Sequence, residues 1–115
     1  MIDYVLGVDG GGTGTRVRLA DRSGTQLAQG VAGPSALGQG VESAWAQILL
    51  AVHAAFDHCS LPVPHWSRCI LAAGLSGNGH LPWREGFLAL NPGFLVVLLE
   101  SDATTMLWGA HGGKP

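Results

Sequence analysis

Residues 4–30 decide the fold, and they read YVLGVDGGGTGTRVRLADRSGTQLAQG. A short apolar run over residues 4–8 ends at Asp9, and such a run predicts a buried strand. Residues 15–21 alternate between apolar and charged side chains, which predicts a half-buried strand. A turn follows, and residues 25–32 then predict a third strand. Three strands joined by short turns favour an antiparallel meander.

The rest of the chain alternates helices with strands. The predicted elements are a helix over residues 41–59, a strand over 69–75, a short helix around 82–90, a strand over 93–100 and a helix from 101 onward. The order β-β-β-α-β-α-β-α predicts an α/β fold in which strands one, four and five lie parallel and side by side. We expect a mixed five-stranded sheet with helices on both faces. Asp9, Gly74 and Asp102 would then share the carboxyl edge, where ligands bind in open α/β sheets.

Composition narrows the classes of function. The chain has 115 residues, which suits one domain, with 47% apolar and 12% charged residues. The net charge of −2, with scattered basic residues, predicts neither a nucleic acid nor a membrane as partner. Cys59 and Cys69 have no metal-ligand spacing and are expected to be thiols in a reducing compartment. These features predict a cytoplasmic protein.

The glycine loop after Asp9 matches neither the Walker nor the Rossmann phosphate motif, because a strand follows it where those motifs have a helix. Successive N–H groups in a glycine-rich turn can still form an anion-binding nest, and Thr13 and Thr15 would add hydroxyl donors. Asp9 would act through Mg²⁺ or its water shell. The alternative is a plain hairpin turn. Two observations favour the functional interpretation: four glycines among residues 10–14 exceed what a simple turn needs, and a carboxylate ending a buried strand needs a partner.

A second carboxylate, Asp102, follows the last apolar run. Ser-Asp at a helix start is a common cap, but an aspartate there could also be the general base that accepts a hydroxyl proton in phosphoryl transfer. Ser76 and Asn78, in the loop after the fourth strand, could bond sugar hydroxyls, although such residues also form turns. Both roles stay open for each residue.

The segment GVDGGGTGTRV resembles the first phosphate motif of the sugar kinase, heat-shock chaperone and actin superfamily. The branch that it resembles is the BadF/BadG/BcrA/BcrD-type ATPase group, which includes N-acetylglucosamine and glucosamine kinases. The segments AGPSAL (32–37), AAGLSG (72–77) and ESDATTMLWGAHGGKP (100–115) follow in that family's order. The resemblance therefore extends over the whole chain and implies an RNase H-like, actin-like ATPase lobe.

The resemblance implies an ATP-dependent kinase that transfers the γ-phosphate to a hydroxyl of an amino sugar, with ATP and Mg²⁺ as cofactors. Asp102 is the implied general base, and Asp9 is the implied magnesium residue, acting through water. The implied ATP-binding residues are Asp9, Gly10, Gly11, Gly12, Thr13, Gly14 and Thr15. The implied sugar-binding residues are Ser35, Ala36, Gly74, Ser76 and Gly77.

The chain also departs from the pattern of such kinases. They often carry Asn where this chain has Ala36 and Ser101. The amide missing at position 36 would bond the substrate, so the identity of the sugar is left open. Such kinases have two lobes, so residues 1–115 would form the N-terminal lobe, inactive without its C-terminal partner lobe. Self-association into a homodimer is left open. The competing hypotheses are an ATPase that activates a reductase, an RNase H-like nuclease and a non-catalytic binding domain.

Overall fold

The computed structural model describes residues 2–99; residue 1 and residues 100–115 lie outside the description. Its centre is one five-stranded sheet of order β3-β2-β1-β4-β5. The strands are β1 (Tyr4–Gly10), β2 (Thr15–Asp21), β3 (Gln26–Ala32), β4 (Cys69–Leu75) and β5 (Val96–Leu99). The first three strands pair antiparallel, whereas β4 pairs parallel with both β1 and β5. The predicted meander and the predicted parallel trio are therefore both confirmed.

The register fixes what lies at the carboxyl edge of the sheet. Asp9 on β1 is paired with Gly74 on β4 and with Arg16 on β2. Leu99 on β5 is paired with Ala73, so β5 runs toward the same edge. The glycine hairpin between β1 and β2 consequently projects from the edge where β4 and β5 also end.

Two α-helices cover one face of the sheet. Helix α1 (Val41–His58) packs on β2 and β3, and helix α2 (Leu81–Ala89) contacts α1 and β5. Their apolar faces share one core with the inward residues of the strands; its large buried members include Leu6, Val8, Val17, Leu19, Ile48, Phe56, Leu71 and Phe87. The period of 3.6 residues over residues 41–58 thus predicts the buried side of α1 correctly.

Close contacts fix the position of α1. Gly30 on β3 lies directly under the helix, because a Cβ atom added there would be 1.9 Å from the Ala51 carbonyl oxygen. At the other end, the Trp45 indole donates a hydrogen bond of 2.8 Å to the Phe87 carbonyl and stacks on the Phe87 ring at 4.2 Å. These contacts attach α1 to the sheet and to α2.

The boundaries differ slightly from those predicted. Strand β5 begins at Val96 rather than at residue 93, because Asn91 forms a turn in which its side chain accepts the N–H groups of Gly93 and Phe94. Short 3₁₀ turns, Leu37–Gln39 and Trp66–Arg68, precede α1 and β4 and were not predicted. The predicted final helix lies outside the described residues, and both described α-helices pack on one face. Helices on both faces therefore stay a prediction.

Within residues 2–99, no helix combines the length and apolar character needed to cross a membrane.

Candidate functional site

An open cleft of about 520 Å³ lies at the carboxyl edge of the sheet. The hairpin between β1 and β2 forms most of its wall, and β3 and the start of the β4–α2 loop complete it. The lining residues are Asp9, Gly10, Gly11, Thr13, Gly14, Thr15, Arg16, Val31, Ala32 and Ser76. The predicted ATP-binding residues, with the exception of Gly12 at the hairpin tip, therefore line one cleft.

The tip of the hairpin leaves backbone donors free. Gly11 N–H donates to the Gly14 carbonyl at 3.0 Å and closes the turn. Among the residues that the structure describes, the N–H groups of Gly12 and Thr13 have no hydrogen-bond acceptor. Both residues are exposed to solvent. Two adjacent donors in a turn can bind an anion, but the expected αR-αL nest is not formed, because no residue from Gly10 to Thr15 has a left-handed φ.

Asp9 and Arg16 bring opposite charges to the wall of the cleft. They are partners across β1 and β2, both side chains are exposed, and neither forms an ion pair within residues 2–99. The expectation that Asp9 loses hydration at the end of a buried strand is wrong, because Val8 is the last buried residue of β1 and the Asp9 side chain is exposed. Asp9 is instead a solvated carboxylate that can hold a hydrated cation.

Arg16 is a member of this site that the sequence analysis missed. A usable signal was present: a hairpin whose tip is residues 11–14 must place residue 9 opposite residue 16. The alternation in β2 then puts the Arg16 side chain on the same face as that of Asp9, away from the core residue Val17. The combination of hairpin register and alternation was therefore sufficient to find it.

Two residues predicted to contact ligands make internal hydrogen bonds instead of facing solvent. Thr15 and Ser35 are buried, and their hydroxyl oxygens are 2.6 Å apart. Thr15 also contacts the Gly33 carbonyl oxygen at 2.6 Å. The neighbouring Ala36 is half-buried. Ser35 consequently lies behind the glycine hairpin rather than on the open wall.

The β4 side of the cleft is connected to the hairpin through the backbone. Ser76 is exposed at the cleft, and its N–H donates to the Gly10 carbonyl at 3.0 Å, while its own carbonyl accepts from Leu37 N–H at 2.9 Å. Gly77 has a φ of +90°, which favours glycine, and a Cβ atom added there would lie 3.0 Å from the Trp83 ring. Asn78 is half-buried in the same loop. Predicted phosphate and sugar segments thus meet in one hydrogen-bonded cluster.

Asp102, the predicted general base, lies outside the described residues. Within residues 2–99, no group of three His, Cys, Asp or Glu side chains is arranged to hold a metal ion by itself. A single exposed carboxylate beside free N–H donors nevertheless suits Mg²⁺, which keeps several waters and binds one or two carboxylates together with phosphate oxygens. Asp9 therefore fits the cation that the resemblance implies.

The mixed sheet and the glycine hairpin at its carboxyl edge define the class of protein. Strand order β3-β2-β1-β4-β5, with a glycine-rich turn joining the first two strands, is that of an RNase H-like lobe of the actin-like ATPase class. The fold class predicted from the sequence is confirmed.

Within that class, the chain is similar to amino-sugar kinases over nearly its whole length. It is 46% identical to the proposed N-acetylglucosamine kinase of Chromobacterium violaceum, with a TM-score of 0.85 over 99% of this chain and 40% of that chain. It is 26% identical to the glucosamine kinase GspK of Vibrio cholerae over 113 residues, which is 98% of this chain and 38% of the relative. The resemblance expected from GVDGGGTGTRV is confirmed.

The chain spans about two fifths of the length of these relatives. No protein-family model matches it. A weaker structural similarity, to component A of the (R)-2-hydroxyglutaryl-CoA dehydratase of Acidaminococcus fermentans, has a TM-score of 0.45 at 13% identity.

Proposed function

We propose that this chain is the N-terminal lobe of a two-lobed, ATP-dependent kinase that phosphorylates a hydroxyl of an amino sugar resembling N-acetylglucosamine or glucosamine. The observation that carries the proposal is the cleft at the carboxyl edge, where, within residues 2–99, backbone N–H groups without an acceptor lie beside a carboxylate and a guanidinium that form no ion pair. The names of the similar proteins support the reaction and the class of substrate.

The glycine hairpin is proposed to bind the phosphates of ATP. The free N–H groups of Gly12 and Thr13, with the exposed Thr13 hydroxyl, would donate hydrogen bonds to phosphate oxygens. Arg16 would add a positive charge on the cleft wall. These donors are fixed before the nucleotide arrives, and such preorganised donors stabilise the charge on a transferred phosphoryl group.

Asp9 is the residue proposed to hold Mg²⁺, through the waters of the ion. When bound, Mg²⁺ neutralises part of the charge on the phosphate oxygens. Asp9 is exposed at the cleft and has no competing ion pair in the described part of the chain, so its carboxylate is free to take this position. A carboxylate at that point without a cation would repel phosphate.

The sugar is proposed to bind between the hairpin and the segments that contain Ala36, Gly74, Ser76 and Gly77. Ser76 is exposed on the cleft wall and could bond a sugar hydroxyl. Asp102 is the proposed general base, which would accept the proton of the attacking hydroxyl. It follows β5, whose direction leads to the same edge of the sheet as Asp9. The second lobe would supply the adenosine site and exclude water on closure.

The proposal is tested with the natural protein that contains this chain. ADP release is measured with Mg²⁺ and ATP against glucosamine, N-acetylglucosamine, glucose and mannose, and the products are analysed for sugar phosphate. We expect sugar-dependent ADP release matched by an amino-sugar phosphate. ATP hydrolysis that is independent of sugar and yields no sugar phosphate would contradict a kinase and favour an ATPase that activates a partner.

A further inference from the structure

Two buried hydroxyl groups join the glycine hairpin to the segment that follows β3. Thr15 is 4% exposed and Ser35 is 1% exposed, and they are the two buried polar residues of the described chain, residues 2–99. Their oxygens are 2.6 Å apart, although 20 residues separate them in sequence. Buried hydroxyls need partners, because a buried polar group without a hydrogen bond destabilises the fold.

The Thr15 hydroxyl has one proton for two contacts within this cluster. Thr15 Oγ1 lies 2.6 Å from the Gly33 carbonyl oxygen and 2.6 Å from Ser35 Oγ. Thr15 Oγ1 is the donor in both contacts, so its single proton is shared between the Gly33 carbonyl and the Ser35 hydroxyl. No proton of Thr15 is left for a ligand.

The same cluster determines the position of the hairpin. Ser35 N–H donates to the Gly11 carbonyl at 3.0 Å, and Gly10 lies so close that an added Cβ atom would be 1.9 Å from Ser35 Oγ. At the other end, Gly33 N–H donates to the Gln47 side chain on α1 at 2.8 Å. A continuous series of contacts thus connects the rigid helix α1 to the base of the glycine hairpin.

We propose that Thr15 and Ser35 are positioning residues, whose hydroxyl pair holds the glycine hairpin in the geometry that binds phosphate. The nucleotide part of this inference rests on the proposed function, whereas the effect on the hairpin does not. Thr15 has no proton left for a phosphate, and Ser35 is covered by the hairpin. Their contribution to ATP binding is therefore indirect, through the orientation of the Gly12 and Thr13 N–H groups.

A merely stabilising pair would behave differently from a positioning pair. Loss of general stability would increase hydrogen exchange throughout the sheet, including Leu6 and Leu71 in the core. Loss of positioning would increase exchange locally, at Gly11 and at Ser35, whose N–H groups hold the hairpin closed. The two outcomes are separable in the chain itself, without nucleotide.

The first experiment measures amide exchange, without nucleotide, in the natural protein that contains this chain. Thr15→Val keeps the shape but removes the hydroxyl, Thr15→Ser keeps the hydroxyl, and Thr25→Val is the matched control in the exposed turn after β2. We expect exchange at Gly11 to rise about tenfold in Thr15→Val, with Leu6 and Leu71 unchanged and with most of the protection kept in Thr15→Ser. Equal exchange at Gly11 in Thr15→Val and in the unmodified chain would overturn the proposal.

If Thr15→Val fails to fold, Ser35→Ala decides the question. It leaves the bond from Thr15 to Gly33 intact and removes only the Ser35 hydroxyl, so its effect should be milder. Faster exchange confined to the hairpin supports positioning. Exchange that rises equally in the hairpin and in the core overturns it.

The second experiment measures KM for MgATP and for sugar in the natural protein that contains this chain. We expect Thr15→Val to raise KM for MgATP about tenfold and to change KM for sugar much less, and Thr15→Ser to restore it. Adding Ser35→Ala to Thr15→Val should then have little further effect, since the bond is already lost. Additive effects on KM would contradict a joint role. If the unmodified protein phosphorylates no sugar, the proposed function fails, but the exchange experiment still decides whether the pair holds the hairpin.

Discussion

Arg16 and Asp9 are the charged residues of the cleft, and their placement follows from hairpin register. Because they face each other on adjacent strands with no ion pair between them in the described structure, both remain available to a ligand of mixed charge, such as a magnesium-bound phosphate. A phosphate without its cation would meet repulsion from Asp9. The nucleotide is therefore expected to bind as its magnesium complex.

Replacement of Arg16 tests whether its side chain contributes to binding of the magnesium-bound nucleotide. We expect Arg16→Gln to weaken MgATP binding about tenfold, because a charge-assisted hydrogen bond is lost. Arg22→Gln removes the same charge at the opposite end of β2 and is the matched control. Titration calorimetry on the natural protein measures the affinity for MgATP. Equal affinities of the two variants would show that Arg16 does not contact the phosphates.

The two cysteines are predicted to react very differently. Burial raises the pKa of the Cys69 thiol to about 11, so the thiol stays protonated at pH 8, where only a thiolate is a good nucleophile. Cys59 is half-buried near the end of α1. We expect iodoacetamide at pH 8 to modify Cys59 first, and Cys69 only after denaturation, as followed by mass spectrometry. With Cys59→Ser, native protein should remain unlabelled; rapid labelling of that variant would contradict the buried position of Cys69.

At the scale of elements, the contact between α1 and β3 depends on the absence of a side chain at Gly30. A Cβ atom there would lie 1.9 Å from the Ala51 carbonyl oxygen and 2.7 Å from the Ala55 nitrogen, both backbone atoms of the helix. Backbone cannot rotate away as a flexible side chain can. Helix α1 would have to move off the sheet.

We therefore expect Gly30→Ala to lower the free energy of unfolding by about 1–3 kcal/mol, the usual cost of overpacking. Gly79→Ala is the control, because nothing lies within 4 Å of a Cβ atom at that position. Urea denaturation followed by circular dichroism measures both variants. Identical midpoints would show that α1 does not lie against Gly30.

Strands and helices were predictable where apolar residues recur at a regular spacing and turn-forming residues mark both ends of the segment. Residues 15–21, 41–58 and 69–75 have such patterns, and each forms the predicted element to within one residue. The start of β5 was misplaced because apolar residues at 94 and 95 continue the pattern, while the Asn91 side chain accepts the N–H of Phe94 and holds that residue in a turn. A turn held by one side chain leaves no periodic signal.

The site was predictable only in part. The sequence shows which residues can bind a ligand, but it does not show whether a hydroxyl group faces the ligand or another side chain. The glycine hairpin and Asp9 were found from their type and order. Thr15 and Ser35 were expected to face ligands, but they face each other. Only the three-dimensional approach of residues 20 positions apart reveals that pairing.

On the scale of the whole molecule, the described lobe has one wall of a cleft. Its similarity to two fifths of longer kinases agrees with a partner lobe across that cleft. The proposed division of labour places phosphate binding on the hairpin, the cation on Asp9 and proton removal on Asp102. The first two functions lie at the end of β1, and Asp102 comes after β5 in the sequence.

Transfer of a radiolabelled γ-phosphate from ATP, carried out with the natural protein containing this chain, tests the proposed kinase activity most directly. With N-acetylglucosamine or glucosamine present, we predict that label appears in a sugar phosphate, and that Asp102→Asn abolishes the transfer while MgATP still binds. Label that appears only as inorganic phosphate, at the same rate with and without sugar, would contradict the kinase. Normal phosphate transfer by Asp102→Asn would show that Asp102 is not the general base and would favour its alternative role as a helix cap.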